Sequence, residues 1–161
     1  MNILFDLIRH TRQHHAIEHA TIHILSERFP QQRFSGHSNP RGFVIWGNVS
    51  SDTLQQAVEE ALTRLQGGEQ HLAIHPHCGT NLAITGLCLT VAALGLSYDR
   101  RTLSERFTTT FTLMLVALIF SRPLGSHSQR YTTLAAVQDR KLMRIVPVGW
   151  GMRNARHVLF E

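Results

Sequence analysis

The chain has 161 residues, a formal net charge of +5 and two cysteines, which fits one domain or a domain with an appendage and excludes a disulfide-built scaffold. All but one of its 16 basic residues are arginines, and they are scattered along the sequence. Because no basic stripe with interleaved aromatic residues is present, we do not expect nucleic acid as a partner and expect membrane lipid instead.

The first predicted element is a long helix from Asn2 to Phe29, in which apolar residues recur at helical spacing until Pro30 stops it. It contains the stretch His15-Ala-Ile-Glu18-His19. On a helix these three polar side chains fall within an arc of roughly 100°, so two imidazoles reach one point and a carboxylate stands near a water on the same metal ion. The H-x-x-E-H order is the inverted form of the zinc-protease signature. We therefore predict His15 and His19 as metal ligands and Glu18 as a general base.

The alternative interpretation of this stretch is an amphipathic helix that is simply rich in histidine. The side chain of His14 lies about 100° from that of His15, outside the arc of His19, so we prefer His15 as the ligand. His23 continues the face from His19 and is predicted to be a ligand or a hydrogen-bond partner of one.

Between residues 31 and 74 the chain alternates turn-forming and periodic segments. The predicted elements are a loop or ragged hairpin from Gln31 to Arg41, a strand from Phe43 to Trp46, a helix capped by Ser51 or Asp52 that runs to about Gln66 before Gly67-Gly68, and a short strand from His71 to Ile74. The carboxylates of this region, Glu59, Glu60 and Glu69, are expected to belong to a solvated helix face and a turn rather than to a site.

A second motif follows at His75-Pro-His77-Cys78-Gly-Thr-Asn81. His75 and Cys78 are separated by two residues, a spacing at which both can bind one metal. Cys78 also precedes a predicted helix start, where free amide hydrogens and the helix dipole favour the thiolate form that coordinates zinc. The alternative is a helix start whose histidines lie at a membrane interface by chance. Combined with the first motif, the sequence predicts a site of His15, His19 and either or both of His75 and Cys78.

Two apolar blocks come next. Cys78 to Tyr98 is a run of 21 uncharged residues, which spans about 31 Å as a helix and is enough for a bilayer core. Phe107 to Ser121 adds 15 uncharged residues, about 22 Å, a length that requires snorkelling arginines or local thinning of the bilayer. We expect a transmembrane or deeply embedded hairpin, and the alternative is a buried helical hairpin of a soluble protein.

The orientation of the hairpin follows from its flanking charges. Three arginines lie in its connecting loop and five basic residues flank the other side, which favours cytoplasmic termini. The absence of a visible signal peptide agrees with this, because Asp6 interrupts the first apolar residues and no basic start precedes them. After the hairpin, Leu142 to Val148 and Arg156 to Phe160 are predicted strands around a turn from Gly149 to Asn154, and they are expected to join the earlier strands in one sheet.

The motifs of this chain resemble those of the membrane-protein family catalogued as domain of unknown function 6391, and that family looks related to the predicted metal-dependent enzymes catalogued as domain of unknown function 1385. The matching elements are the H-x-x-E-H helix with His15, Glu18 and His19, the H-P-x-C-G-T element from His75 to Thr80, and a Q-x-x-T-T element with Gln129, Thr132 and Thr133. The runs Gly36–Phe43 and Glu59–Glu69 extend the likeness to the first family over nearly the whole chain. The acidic stretch expected after the double threonine in the larger family is absent here. The resemblance implies a metal site and a membrane setting, without a substrate.

Together these features predict an α+β fold with a long N-terminal helix, a small sheet with one packed helix and an apolar two-helix membrane hairpin. The boundaries are residues 1–78 for the metal-site part, 79–122 for the hairpin and 123–161 for a C-terminal segment whose strands join the first part. The cofactor is one divalent metal, and a thiolate ligand favours Zn²⁺. The residues expected to contact the substrate or the metal ligands are His23, His77, Asn81, Gln129, Thr132 and Thr133.

The predicted function is that of a membrane-associated metal-dependent hydrolase, acting on peptide or amide bonds before lipid esters. If four protein ligands close the site, the metal is structural and the protein is a non-catalytic membrane module or a subunit of a larger assembly. A third hypothesis has no metal at all and treats the histidines as packing and interface residues. The sequence leaves the substrate open, and also leaves open a homo-oligomer or a membrane complex.

Overall fold

The computed structural model describes residues 3–75, 78–95, 102–149 and 154–161, and it confirms the α+β class. In chain order the elements are α1 (Ile3–Arg28), β1 (Ser35–Asn39), β2 (Gly42–Trp46), α2 (Ser51–Gln66), a 3-10 helix (Gln70–Ala73), α3 (Gly79–Gly95), α4 (Leu103–Thr132), β3 (Leu142–Pro147) and β4 (Ala155–Phe160). The fold divides into two compact units. The sheet unit contains Met1–His75 with Thr132–Glu161, and the apolar unit contains Pro76–Tyr131.

The four strands form one antiparallel sheet in the order β1-β2-β4-β3. The C-terminal strands β3 and β4 therefore join the predicted strand Phe43–Trp46 in one sheet, as expected. The predicted loop or ragged hairpin is a hairpin, in which Asn39 pairs with Gly42 across the turn. Gly42 has a φ of 155°, and a Cβ atom there would overlap the carbonyl of Val158 on β4. Only glycine fits this turn without strain.

The core lies between the sheet and the two helices α1 and α2. Phe43 and Val158 of the sheet are fully buried against Ile17 of α1 and Leu54 of α2. The cap of α2 is Ser50, one residue before the first predicted cap, and its hydroxyl accepts a hydrogen bond from the backbone N–H of Thr53. The helix ends at Gln66 as predicted.

The predicted strand from His71 to Ile74 is wrong, because this segment is part of the 3-10 helix Gln70–Ala73. It pairs with no strand of the described sheet. Instead Leu72 and Ala73 are buried in the core, and the segment closes locally through a hydrogen bond from the Ile74 N–H to the His71 carbonyl. Burial of two apolar side chains against α1 therefore decides the conformation over the local strand pattern.

In the apolar unit, α3 begins at Gly79 as expected, and its predicted end at Tyr98 lies outside the described residues, as do positions 150–153 of the predicted C-terminal turn. Helix α4 is longer at both ends than the predicted Phe107–Ser121. It passes through Pro123 with a bend of 44° between its two halves, as expected where a proline removes a backbone donor. Among the described helices none is long and apolar enough by itself to cross a bilayer, and the two halves of α4 meet that criterion only together.

The apolar unit places its polar groups between its helices. The Thr85 hydroxyl donates to the Ser121 hydroxyl at 3.0 Å, and the Gln129 amide donates to the Asn81 side-chain oxygen at 2.9 Å. Ser121 and Gln129 are fully buried. Large apolar side chains point outward instead and are at least 40% exposed, namely Leu82, Leu87, Val91, Phe107, Phe111, Leu113, Leu115, Val116, Leu118, Ile119, Phe120 and Leu124.

Candidate metal centre

One face of α1 carries a row of imidazoles. His15, His19 and His23 are spaced four residues apart, so they follow one another along the helix. The ring centroids of His15 and His19 are 4.4 Å apart. The segment that follows the 3-10 helix brings His75 alongside, with its ring 5.8 Å from that of His19 and 4.8 Å from that of His23. The sheet unit therefore brings together four histidines that the sequence had proposed for the site.

Backbone carbonyls set the tautomers of two of these rings. The Nδ1 atom of His15 lies 3.1 Å from the carbonyl of Thr132, and that of His19 lies 2.7 Å from the carbonyl of Ala73. A carbonyl can only accept, so each Nδ1 carries a hydrogen, and in the neutral form of each ring the lone pair is on Nε2. This is the arrangement in which metal-ligating histidines are usually oriented.

His23 is held in the opposite way. Its Nε2 atom, 3.0 Å from the carbonyl of Ile74, is the nitrogen that donates, whereas in His15 and His19 the donating nitrogen is Nδ1. This difference separates the pair His15 and His19 from His23, which contacts the ring of His75 edge-on.

Glu18 is almost completely buried, with 4% of its surface exposed. Its Oε2 atom accepts a hydrogen bond from the hydroxyl of Ser38 on β1. A Cβ atom on Gly36 would overlap the Glu18 carboxylate, so the glycine makes the close approach of strand and helix possible. Burial raises the pKa of the Glu18 carboxyl, against the opposing effects of the Ser38 hydrogen bond and of nearby His15 and His37.

His14 faces the sheet and not the row of imidazoles. Its Nδ1 atom lies 2.9 Å from the carbonyl of Asn39, and its ring stacks on Phe160 with centroids 5.0 Å apart. Burial lowers the pKa of His14 to about 4. His14 is therefore a neutral packing residue of the sheet side, while His15 and His19 lie on another face of the helix.

The segment after α4 is fastened along α1 and fixes the Thr132 carbonyl beside His15. The Leu134 N–H donates to the carbonyl of Arg12 at 2.9 Å. The Gln13 amide donates to the Ala136 carbonyl and to a carboxylate oxygen of Asp139, both at 2.7 Å. Thr132 is one of the residues predicted to contact the substrate or a metal ligand, and in the structure its carbonyl contacts Nδ1 of His15.

The remaining predicted site residues belong to parts of the chain other than α1. Cys78 is buried just ahead of α3 in the apolar unit, where its sulfur lies 3.4 Å from the backbone N–H of Thr80. Asn81 and Gln129 bond to each other in the same unit, and the carbonyl of Thr133 accepts from the Arg12 guanidinium. His77 lies outside the described residues. The three carboxylates set aside as solvated all bond to neighbouring side chains, Glu59 to Gln55, Glu60 to Arg28 and Glu69 to Arg64.

Sequence reasoning missed the groups that hold the predicted side chains in place. The carbonyls of Ala73 and Thr132 have no signal in the sequence, because every residue has a carbonyl. Ser38 and Gly36 had an indirect signal, since both belong to the Gly36–Phe43 run that contributed to the family resemblance.

Comparison with known proteins finds a family model and a relative that match this chain. The family described as "Domain of unknown function (DUF6391)" matches residues 10–145. An uncharacterised protein of Picosynechococcus sp. (strain ATCC 27264 / PCC 7002 / PR-6) is 36% identical over 135 residues, an alignment that covers 77% of this chain and 65% of the relative. The chain thus spans less than two thirds of the length of the curated relative it matches. No solved structure matches this chain.

Proposed function

The chain belongs to the family described as domain of unknown function 6391, and from that premise we propose that it is a membrane-associated, metal-dependent hydrolase. His15 and His19 would hold the metal ion, each through its Nε2 atom. The observation that carries this proposal is the pair of Nδ1-to-carbonyl hydrogen bonds, from His15 to Thr132 and from His19 to Ala73. Because Nδ1 of each ring donates to a carbonyl, the lone pair of each neutral ring is on Nε2, the nitrogen that points away from that carbonyl.

His75 and Cys78 complete the proposed ligand set. His75 lies beside His19 in the sheet unit. Cys78 follows His75 by three positions, so their Cα atoms are at most about 11 Å apart. Two or three imidazoles with a thiolate form a donor set that suits zinc, which binds nitrogen and sulfur with tetrahedral geometry. The relation to the family numbered 1385 stays a prediction.

Glu18 is the proposed general base. A divalent ion at the histidines would supply Lewis acidity, which polarises a carbonyl and lowers the pKa of water. Glu18 lies one position before His19 on the helix, and the Ser38 hydroxyl fixes its carboxylate. In this position its carboxylate takes a proton from water and returns it to the leaving nitrogen of a peptide or amide bond, so the proton is held on the protein between the two steps.

The membrane setting is supported by the outward side chains of α3 and α4. Leu82 is 77% exposed, Phe107 71% and Ile119 68%, within an apolar surface larger than water-soluble monomers usually present. The contacts from Thr85 to Ser121 and from Gln129 to Asn81 pair polar groups between the helices, as a hydrocarbon environment requires. We propose an apolar hairpin embedded in the membrane with cytoplasmic termini.

A structural metal site is the second candidate. The Glu18 carboxylate is almost completely buried and accepts a hydrogen bond from Ser38. This arrangement suits a structural hydrogen-bond acceptor as well as a general base. If His15, His19, His75 and Cys78 all bind, the ion has no open position for a substrate. The protein is then a non-catalytic membrane module stabilised by a structural metal, or a subunit of a larger assembly.

Elemental analysis of the detergent-purified protein tests the metal. We expect a stoichiometric transition metal in the wild type and its loss in the double variant His15→Ala with His19→Ala. The matched control is His71→Ala, an exposed histidine of the same unit, which keeps the metal. Circular dichroism checks that each variant is folded. A wild-type protein without a stoichiometric metal after chelator-free purification contradicts both candidates.

Glu18→Gln separates the two candidates. The amide keeps the size of the carboxylate and cannot act as a base. In the enzyme it leaves the metal content unchanged and abolishes hydrolysis of a peptide library, as read by mass spectrometry. Unchanged product formation in the variant, or none in either protein, favours the structural site.

A further inference from the structure

The first two turns of α1 form an apolar surface that no part of the described fold covers. Ile3 is 76% exposed, Leu4 63%, Phe5 69%, Leu7 43% and Ile8 48%. These five residues, called the apolar tip below, differ from the apolar residues farther along α1, which are buried in the core. Isolated exposed apolar residues are ordinary, but five within six positions form a contiguous patch.

The apolar tip covers one side of the helix only. At 100° per residue its side chains fall within an arc of about 200°, and Asp6 and Arg9 occupy the remaining side. The Arg9 guanidinium pairs with Asp139 at 2.6 Å, which fastens this polar side to the sheet unit. The apolar arc therefore faces away from Asp139 and into the surroundings.

The charged groups around the tip nearly balance. Arg140 shares the Asp139 carboxylate with Arg9, and Lys141 follows it as an exposed residue. Against these three cations stand Asp6, Asp139 and Glu161, whose backbone N–H donates to the Lys141 carbonyl. An amphipathic helix with one apolar and one polar face is the kind that lies at the boundary between headgroups and acyl chains.

A second copy of the chain fits the apolar tip less well than a bilayer does. With about 200 Å² for a large apolar side chain, the exposed fractions amount to roughly 600 Å² of free apolar surface. A specific protein interface takes about 800 Å² from each partner. A rigid partner would also cover only part of a 200° arc, whereas fluid lipid can cover all of it.

We propose that the apolar tip inserts into the interfacial region of a lipid bilayer and anchors the sheet unit at the membrane surface. This anchor rests on the membrane setting of the proposed function and is independent of the metal and of hydrolysis. It adds a contact between the sheet unit and lipid that the apolar hairpin does not require.

The test uses the full chain in vesicles of phosphatidylcholine and phosphatidylglycerol whose acyl chains carry bromine, which quenches tryptophan on contact. Leu4→Trp introduces a reporter on the apolar arc, and Phe5→Trp repeats the measurement with a more conservative exchange. The matched control is Gln56→Trp on the exposed face of α2 in the same unit. The parent protein supplies the background of Trp46 and Trp150.

We expect the added emission of Leu4→Trp and of Phe5→Trp to be largely lost in brominated vesicles, while that of Gln56→Trp is retained. Equal quenching of tip and control reporters overturns the proposal. So does efficient cross-linking of two chains through Leu4→Cys without lipid quenching, because this identifies a second copy as the partner. Metal content measured on the same samples distinguishes a failure of the anchor from a failure of the metal centre.

Discussion

Gly36→Ala tests the contact between β1 and the buried carboxylate of α1. The backbone of Gly36 is not in the left-handed region, so alanine can adopt its conformation. The new methyl group would overlap Cγ, Cδ and Oε1 of Glu18, and the carboxylate would have to leave the Ser38 hydroxyl. Overpacking costs about 1–3 kcal/mol, and loss of a charged hydrogen bond costs about 1.5–3 kcal/mol. We expect the free energy of unfolding to fall by about 2–3 kcal/mol in total, since the two effects share one displacement.

Urea unfolding of the detergent-solubilised protein measures this change, followed by the fluorescence of the sheet-unit residue Trp46 and by circular dichroism. With a slope of about 2 kcal/mol/M, the midpoint for Gly36→Ala falls by about 1 M. In a Glu18→Ala background the atoms that clash are gone, so adding Gly36→Ala should be neutral or slightly stabilising. Equal costs of Gly36→Ala in the two backgrounds would refute the reasoning, because the strain would then not involve Glu18.

Two further predictions concern the packing around the site and within the apolar unit. Partial burial raises the pKa of the Asp139 carboxyl, but hydrogen bonds led by that from Arg140 outweigh it and the net pKa is lowered. Asp139→Asn should therefore lower the free energy of unfolding by up to about 1 kcal/mol at neutral pH. In urea titrations this difference from wild type should disappear as the pH falls below about 4, where the wild-type carboxylate is also neutralised. A difference that persists in acid contradicts this. Gly125→Ala places a methyl group 2.5 Å from the Asn81 side-chain oxygen and 3.0 Å from its Cα, so thermal unfolding should shift by the equivalent of about 1–3 kcal/mol. Gly86→Ala, where nothing lies within 4 Å, is the control, and an equal loss in both variants would show that the contact with Asn81 is not the cause.

Local signals were sufficient for much of the fold. The periodicity before Pro30 predicted α1 to within a residue at its described end, and Gly67 with Gly68 marked the end of α2. Both signals act within one element, since helix periodicity and glycine conformations do not depend on distant residues. The segment at His71 failed because its conformation depends on burial of Leu72 and Ala73 in a core built from elsewhere in the chain.

The length of α4 was underestimated for a related reason. The predicted hairpin ended at residue 122, just before Pro123, but α4 continues to Thr132 with a bend at the proline. A proline ends a helix only where the freed carbonyl and the ring cannot be accommodated by bending. The sequence shows where the proline is, but it does not show the packing around it that determines whether the helix bends or ends.

The same contrast between local signals and distant partners applies to the candidate site. Spacing placed His15, Glu18 and His19 on one helix, and the structure adds His75 to their surroundings within the sheet unit. The tautomers of His15 and His19 depend on carbonyls that are 117 and 54 positions away. Every residue type has a backbone carbonyl, so no pattern in the sequence can reveal which carbonyls are the partners. Whether Cys78 is a ligand stays a prediction.

The strand order has a consequence for biosynthesis. β4 is the last strand to be made, yet it sits between β2 and β3 in the sheet. The nascent chain must therefore hold α1, β1 and β2 without their central neighbour while the whole apolar unit is translated, and strand pairs so distant in sequence form slowly. The carbonyl that orients His15 also emerges only after that unit. A ribosome-stalled or C-terminally clipped chain should consequently carry its histidines in an unfinished fold. If the proposed metal binds, its loading is then a late step of maturation.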